Sequence, residues 1–352
     1  MLELLGEHWT VAFFGALGGM ALGLAARLGR FCTLGAIEDV MYSSSSLRLR
    51  MWGLSIGTAI LASFSAMALG LFDPQGSIYL SQTWNPLSTI IGGLLFGYGM
   101  AIAGNCGFGA LARLGGGDIR AFVIVLIIGV AAYVMSSGPL ASARVFLFPP
   151  MEAEQSQSLV FALSRWLQLD VALIGIVIGL ILCLSSLSSS ILRSSWNAVL
   201  WSIVVGLTIA GGWIGTHWVA THGFEATPIV SHTFSTPVGD TLIYAMLSSG
   251  LTVSFGIGSV FGVVLGAAFG SFGKGQFRWE ACDDPRELRR QMTGAWLMGF
   301  GAVLSLGCSV GQGLSAMSLL AYSAPVALLA IFAGAWLGLR QMVEGFSLGS
   351  AR

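Results

Sequence analysis

The sequence predicts an all-α, polytopic membrane protein, and three observations carry that expectation. The first is composition: of 352 residues, 55% are hydrophobic and 9% charged, whereas a soluble domain carries about 25% charged residues and needs them to cover its surface. The second is a series of apolar runs, each near the ~20 residues that cross a hydrocarbon core. The third is an internal repeat. Residues 92–114, GGLLFGYGMAIAGNCGFGALARL, return as residues 294–316, GAWLMGFGAVLSLGCSVGQGLSA. At a constant offset of 202, Gly92, Gly97, Gly99, Cys106 and Gly109 meet Gly294, Gly299, Gly301, Cys308 and Gly311. Each copy is an apolar helix that stops at a glycine-flanked cysteine and then resumes. That is the sequence form of a discontinuous membrane helix, and a pair of them points to a binding site between two halves.

About nine spans follow in order. The first is 10–29, the second 51–71, and the third the broken segment 88–114. Then come 119–138, 169–187, 196–213 and 250–270. The eighth is the broken segment 292–319, and the ninth is 324–340. The whole chain, 1–352, is expected to be one transmembrane domain, divided as 1–138, a linker with one span over 139–190, and 191–352. Glycine, at 49 residues, is about twice its usual share and suits close helix packing. Gly15, Gly19 and Gly23 match Gly258, Gly262 and Gly266; this is small-residue packing spacing, not a trace of the repeat.

Arginine and lysine orient the spans. Arg27, Arg30, Arg48, Arg50, Arg113, Arg120, Arg193, Lys274, Arg278, Arg286, Arg289, Arg290 and Arg340 fall on one side, expected to be cytoplasmic. Arg144 and Arg165 are the exceptions. The N-terminus is then periplasmic and the C-terminus cytoplasmic. The two cysteine segments run in opposite directions, so the halves are inverted. The start, MLELLGEHWT, lacks the basic region of a cleaved leader, and the first span is expected to stay in the mature protein.

The remaining features are weaker. Net charge is zero with no basic block, so nucleic acid is not an expected partner. His217, His222 and His232 fall in a presumed outer loop 214–240, whose spacing fits no metal motif; a solvated loop is expected, with no metal and no cofactor. The stretch KGQFRWEACDDPRELRRQM reads as a surface helix, with Asp284 as its cap and Pro285 as its first residue. Of five cysteines, none forms a CxxC pair, which disfavours zinc knuckles and thioredoxin-type chemistry. Cys183 reads as apolar filler and Cys282 as an exposed thiol.

Cys106 and Cys308 stand apart because both sit at the same break of the repeat. Gly104, Gly107, Gly109, Gly307, Gly311 and Gly313 surround them and free the backbone. Irregular backbone at membrane depth belongs beside a cavity. Helices starting near Gly109 and Gly311 aim N–H groups and positive dipole ends into it. The site therefore suits an anion without a lysine or arginine. Cys32, in ARLGRFCTLGAIEDV, lies among Arg27, Arg30, Glu38 and Asp39, and is either filler or a third station.

The segments RFCTLGAIED, GYGMAIAGNCGFG and MGFGAVLSLGCSVGQG resemble the signature segments of the YeeE/YedE family of bacterial inner-membrane proteins, which take up thiosulfate or related sulfur compounds. The likeness covers nearly the whole chain. It implies an hourglass-shaped bundle of nine spanning helices with inverted halves, and functional cysteines at Cys32, Cys106 and Cys308. Asn105 departs from the glycine frequent there, and an amide in its place bears on substrate choice. The expectation is a transporter, not an enzyme. It would carry a small sulfur-containing anion, most simply thiosulfate, inward across the bacterial inner membrane. Cys32, Cys106, Cys308, Gly104, Asn105, Gly107, Gly109, Gly307, Ser309, Gly311 and Gln312 would line the passage. The anion is expected to meet Cys106, then Cys308, then Cys32. Besides the lipid bilayer, a cytoplasmic sulfurtransferase is an expected partner. The rival reading is a membrane thiol oxidoreductase or persulfide relay.

Overall fold

A computed structural model describes residues 6–281 and 284–345. Cys282 lies outside the described residues. Those residues are helical, without a strand beyond isolated bridges. The helices are α1 Glu7–Leu28, α2 Thr33–Tyr42, α3 Leu47–Ala68, α4 Pro86–Ala103, α5 Gly107–Gly115, α6 Ile119–Ser136 and α7 Ala141–Leu147. They continue as α8 Leu159–Leu167, α9 Val171–Leu187, α10 Trp196–His222, α11 Ser235–Leu247, α12 Phe255–Gly273, α13 Pro285–Leu304 and α14 Ser323–Glu344, with a π-helical turn Gly311–Ala316 before α14. Short polar residues fix the starts by accepting orphan N–H groups. Asn85 accepts from Ser88 N at 3.2 Å, Asp118 from Arg120 N at 3.0 Å, and Asp170 from Ala172 N at 2.7 Å. Asp284 accepts from Arg286 N at 2.8 Å.

Among the described residues, 7 helical segments are long and apolar enough to cross a membrane, or 8 if α8 and α9, bent by 118°, form one span. The segment that brings the expected count to nine is α13. Arg286, Glu287, Arg289 and Arg290 fill its first turns, which lowers its apolar length, although it packs between α4 and α6. The presumed surface helix is thus the start of α13 itself. The outside of the bundle is apolar: Leu17, Val130, Leu180, Phe261 and Leu337 are exposed, as a lipid-facing surface requires.

Glycine sets the closest contacts. A Cβ at Gly15, Gly19 or Gly23 would fall on the carbonyls of Phe255, Ser259 and Val263, and one at Gly258, Gly262 or Gly266 on those of Ala12, Ala16 and Met20. The numbers rise together, so α1 and α12 are parallel and the two glycine stripes face each other. Between α4 and α13, Gly99 meets Gly294 and Gly92 meets Gly301, so these central helices are antiparallel. Helix pairings also recur in a crossed pattern. α1 packs on α12 as α10 does on α3; α4 packs on α14 as α13 does on α6; α6 packs on α11 as α14 does on α2.

The loop reading of 214–240 is corrected. Residues up to His222 belong to α10, whose apolar run simply continues past residue 213. His232 is fully buried, with Nδ1 2.7 Å from Ser259 Oγ. Arg144, one of the two misplaced arginines, donates to the Met135 and Ser136 carbonyls at 3.1 and 3.3 Å. It closes the C-terminal end of α6, a favourable place for a cation.

Candidate functional site: a row of buried thiols

Cys32, Cys106 and Cys308 share one local architecture. Two residues before each, the backbone turns left-handed: Arg30 at φ 56°, Gly104 at φ 75° and Leu306 at φ 56°. Such a residue ends a helix by preventing its continuation. The cysteine then opens a new helical segment. Its carbonyl accepts from the N–H four residues on, Ala36 at 3.2 Å, Ala110 at 2.8 Å and Gln312 at 2.8 Å. Its Sγ accepts from the glycine N–H three residues on, Gly35 at 3.4 Å, Gly109 at 3.3 Å and Gly311 at 3.5 Å. The cysteine thus takes the place of a serine or aspartate cap, and the sulfur is held at a positive helix end.

The glycines act differently from expectation. Gly109 and Gly311 do not adopt positive φ; of the six glycines beside Cys106 and Cys308, only Gly104 does. At Gly311 the requirement is space. A Cβ at Gly311 would lie 2.6 Å from Thr233 Oγ1 and 3.2 Å from the Tyr79 hydroxyl. One at Gly109 would lie 3.6 Å from Cys106 Sγ, an ordinary contact. A Cβ at Gly307 would press on Gln312 at 3.2 Å, whereas Gly107 has nothing closer than Ser235 Oγ at 3.7 Å.

The three cysteines form a row with Cys106 in the middle. Cys106 and Cys308 are each 1% exposed, and Cys32 is half-buried. The Cys106 thiol has Cys32, Cys308 and the Ser309 hydroxyl as electrostatic neighbours. Thr33 Oγ1 donates to Ser309 Oγ at 3.2 Å, tying the residue after Cys32 to the residue after Cys308. Thr233 Oγ1 lies 3.7 Å from Cys308 Sγ. A cavity of about 760 Å³ approaches the Cys308 end, lined by Tyr79, Thr233, Leu306 and Gly307 among others. A second, of about 350 Å³, reaches Cys32 and Gly104 at the other end, among Arg27, Arg30, Arg48, Arg113 and Glu38. Cys106 is thus the cysteine that neighbours both of the others.

Of the other expected lining residues, Ser309 sits within the row. Asn105 is buried beside it with both amide ends unpaired. Gln312 is committed elsewhere: its Nε2 donates to the Ser305 carbonyl and its Oε1 accepts from Ser323 Oγ at 3.2 Å, so it braces the broken end of α13. Cys183 packs in the contact between α3 and α9, 3.9 Å from Thr58 Oγ1. Among the described residues no three His, Cys, Asp or Glu side chains gather as a metal site. Sequence reasoning missed Tyr79 and Thr233, which no motif flags. It also missed the spacing common to CTLG, CGFG and CSVG, which was there to be read.

The family model described as "Sulphur transport" matches residues 28–337. A protein named "Thiosulfate transporter TsuA" from Escherichia coli strain K12 is 25% identical over 338 residues, covering 93% of this chain and 94% of its own length. A protein of the same name from Spirochaeta thermophila is 25% identical over 351 residues, covering 93% of this chain and 97% of its own.

Proposed function

We propose, since the chain belongs to the sulphur transport family, that it carries a small sulfur-containing anion, thiosulfate first among them, inward across the bacterial inner membrane. The names of the two relatives support that substrate. The observation that carries the mechanism is the row of three helix-capping thiols between two cavities. The anion enters from the larger cavity and passes Cys308, then Cys106, then Cys32, leaving through the arginine-lined mouth.

Each inner station pairs soft sulfur with hard donors: Cys308 with Thr233 and Tyr79, Cys106 with Ser309. Thiosulfate has the same duality, a terminal sulfur and three oxygens. A thiol is a weak donor, so it matches the sulfur end, while hydroxyl and N–H groups match the oxygens. Several weak stations also permit release, which conduction requires.

The positive-inside pattern supports a cytoplasmic C-terminus and an arginine-lined mouth on the inner side. The crossed helix pairings support inverted halves, α1 to α6 and α10 to α14, with α9 between. A dianion moving inward against a negative interior faces about 2.3 kcal/mol per charge per 100 mV. Consumption by a cytoplasmic sulfurtransferase would draw it in, so such an acceptor belongs to the proposal.

The second reading, a persulfide relay, draws on the mutual proximity of the thiols. There a thiolate attacks the terminal sulfur of thiosulfate, an S–S bond forms to cysteine, and sulfite leaves with the electron pair of the broken bond. Serine and alanine variants separate the two. In hydrogen-bonded passage, Cys106→Ser retains more uptake than Cys106→Ala. In the relay both are inactive, and mass spectrometry finds an added sulfur on the wild-type chain. Non-covalent passage is the reading favoured here.

A further inference from the structure

We propose that the Asn105 amide, with the Ser235 hydroxyl, forms an oxyanion-holding station beside Cys106; this rests on the transport reading above. Asn105 is 2% exposed, and neither its Oδ1 nor its Nδ2 has a partner. Ser235 is 1% exposed, and its Oγ is also unpaired. The two groups flank one point of the chain: Asn105 lies two residues before Gly107, and Ser235 Oγ is the atom nearest the open side of Gly107. The same point is the N-terminus of α5, a helix of 9 residues, whose first N–H groups have no intrahelical acceptor.

The fold does not need an amide here. Asn105 stands between the left-handed residue and the cysteine of its motif. The equivalent positions in the other two motifs hold Phe31, stacked on Trp52 with ring centroids 5.0 Å apart, and Gly307. Both motifs form without a polar side chain at that place. A buried polar group without a partner is costly, so its retention points to a polar occupant. The residue before Asn105, Gly104, borders the cavity at the Cys32 end, and a Cβ there would meet nothing within 4 Å.

An anion with oxygens on one end and sulfur on the other fits the surroundings. Nδ2 of Asn105, Oγ of Ser235 and the first N–H groups of α5 donate to the oxygens. The Cys106 thiol faces the sulfur. Oδ1 is left to accept from water travelling with the anion.

The test uses the purified full chain and the same variants in uptake assays. Asn105→Ala removes an unpaired group, so the anion-free protein should melt at or above the wild-type temperature. Its stabilisation by added thiosulfate should shrink, and the KM for thiosulfate should rise roughly ten- to hundredfold, the size of a hydrogen bond to a charged group. Asn105→Asp, which is isosteric but negative, should abolish that stabilisation while leaving the anion-free chain folded. Ser235→Ala should move KM in the same direction by less. If Asn105→Ala melts several degrees below wild type with unchanged KM, the amide is structural and the inference is overturned. If the wild-type chain itself neither takes up thiosulfate nor is stabilised by it, the transport reading fails and this inference with it.

Discussion

Gly311 and Gly109 occupy equivalent places in the repeat, yet their surroundings separate what substitution should do. At Gly311 the new Cβ would collide with Thr233 and crowd the Tyr79 hydroxyl, so Gly311→Ala should already cut uptake severely. Gly109→Ala places its Cβ at ordinary distance from Cys106 Sγ and should retain most uptake; only Gly109→Val should block the row. Equal effects of the two alanine substitutions, measured at matched expression, would contradict the packing account. Gln312 gives a second contrast. Because its amide is spent on Ser305 and Ser323, Gln312→Ala should destabilise the fold by about 1–3 kcal/mol, read as a lowered melting temperature, with no change in the ratio of thiosulfate to sulfate uptake. At this scale the sequence was only half legible. The cysteines stood out because they recur at one offset beside glycines. Thr233 and Tyr79 did not, because they reach Cys308 from segments remote in sequence.

Each broken helix ends on a left-handed residue, but only one of the two is glycine. Leu306 holds φ 56° at a place where Gly104 serves in the other copy, and a non-glycine residue there costs on the order of 1 kcal/mol or more. Leu306→Gly should therefore leave the break intact and be neutral to slightly stabilising, the relieved strain offset by a more flexible unfolded chain. A large loss of stability in thermal unfolding would show that the Leu306 side chain, rather than its backbone, holds the turn. Most elements were readable from apolar runs, because membrane helices must satisfy their backbone internally. The ends were less so: α10 runs on to His222 because nothing polar enough interrupts it, and the charged start of α13 resembles a surface helix until its continuation into the core is seen.

At the scale of the whole molecule, two close interfaces join helices distant in sequence. One is the parallel pair α1 and α12, where facing glycines bring backbones into contact; the other is the antiparallel crossing of α4 and α13. Gly19→Leu would drive a side chain into the Ser259 carbonyl and should lower the yield of folded protein even though it lies outside the thiol row. Normal yield with full uptake would show that the pair tolerates separation. The central claim is that the buried thiols form a selective path for a sulfur-bearing anion. Its most direct measurement is uptake of labelled thiosulfate and labelled sulfate into vesicles containing only this chain, wild type beside Cys106→Ala and Cys308→Ala. The expected result is thiosulfate uptake well above sulfate uptake, falling to background in both variants while they remain folded. Wild-type vesicles that take up neither anion, or alanine variants that carry thiosulfate as well as wild type, would contradict it.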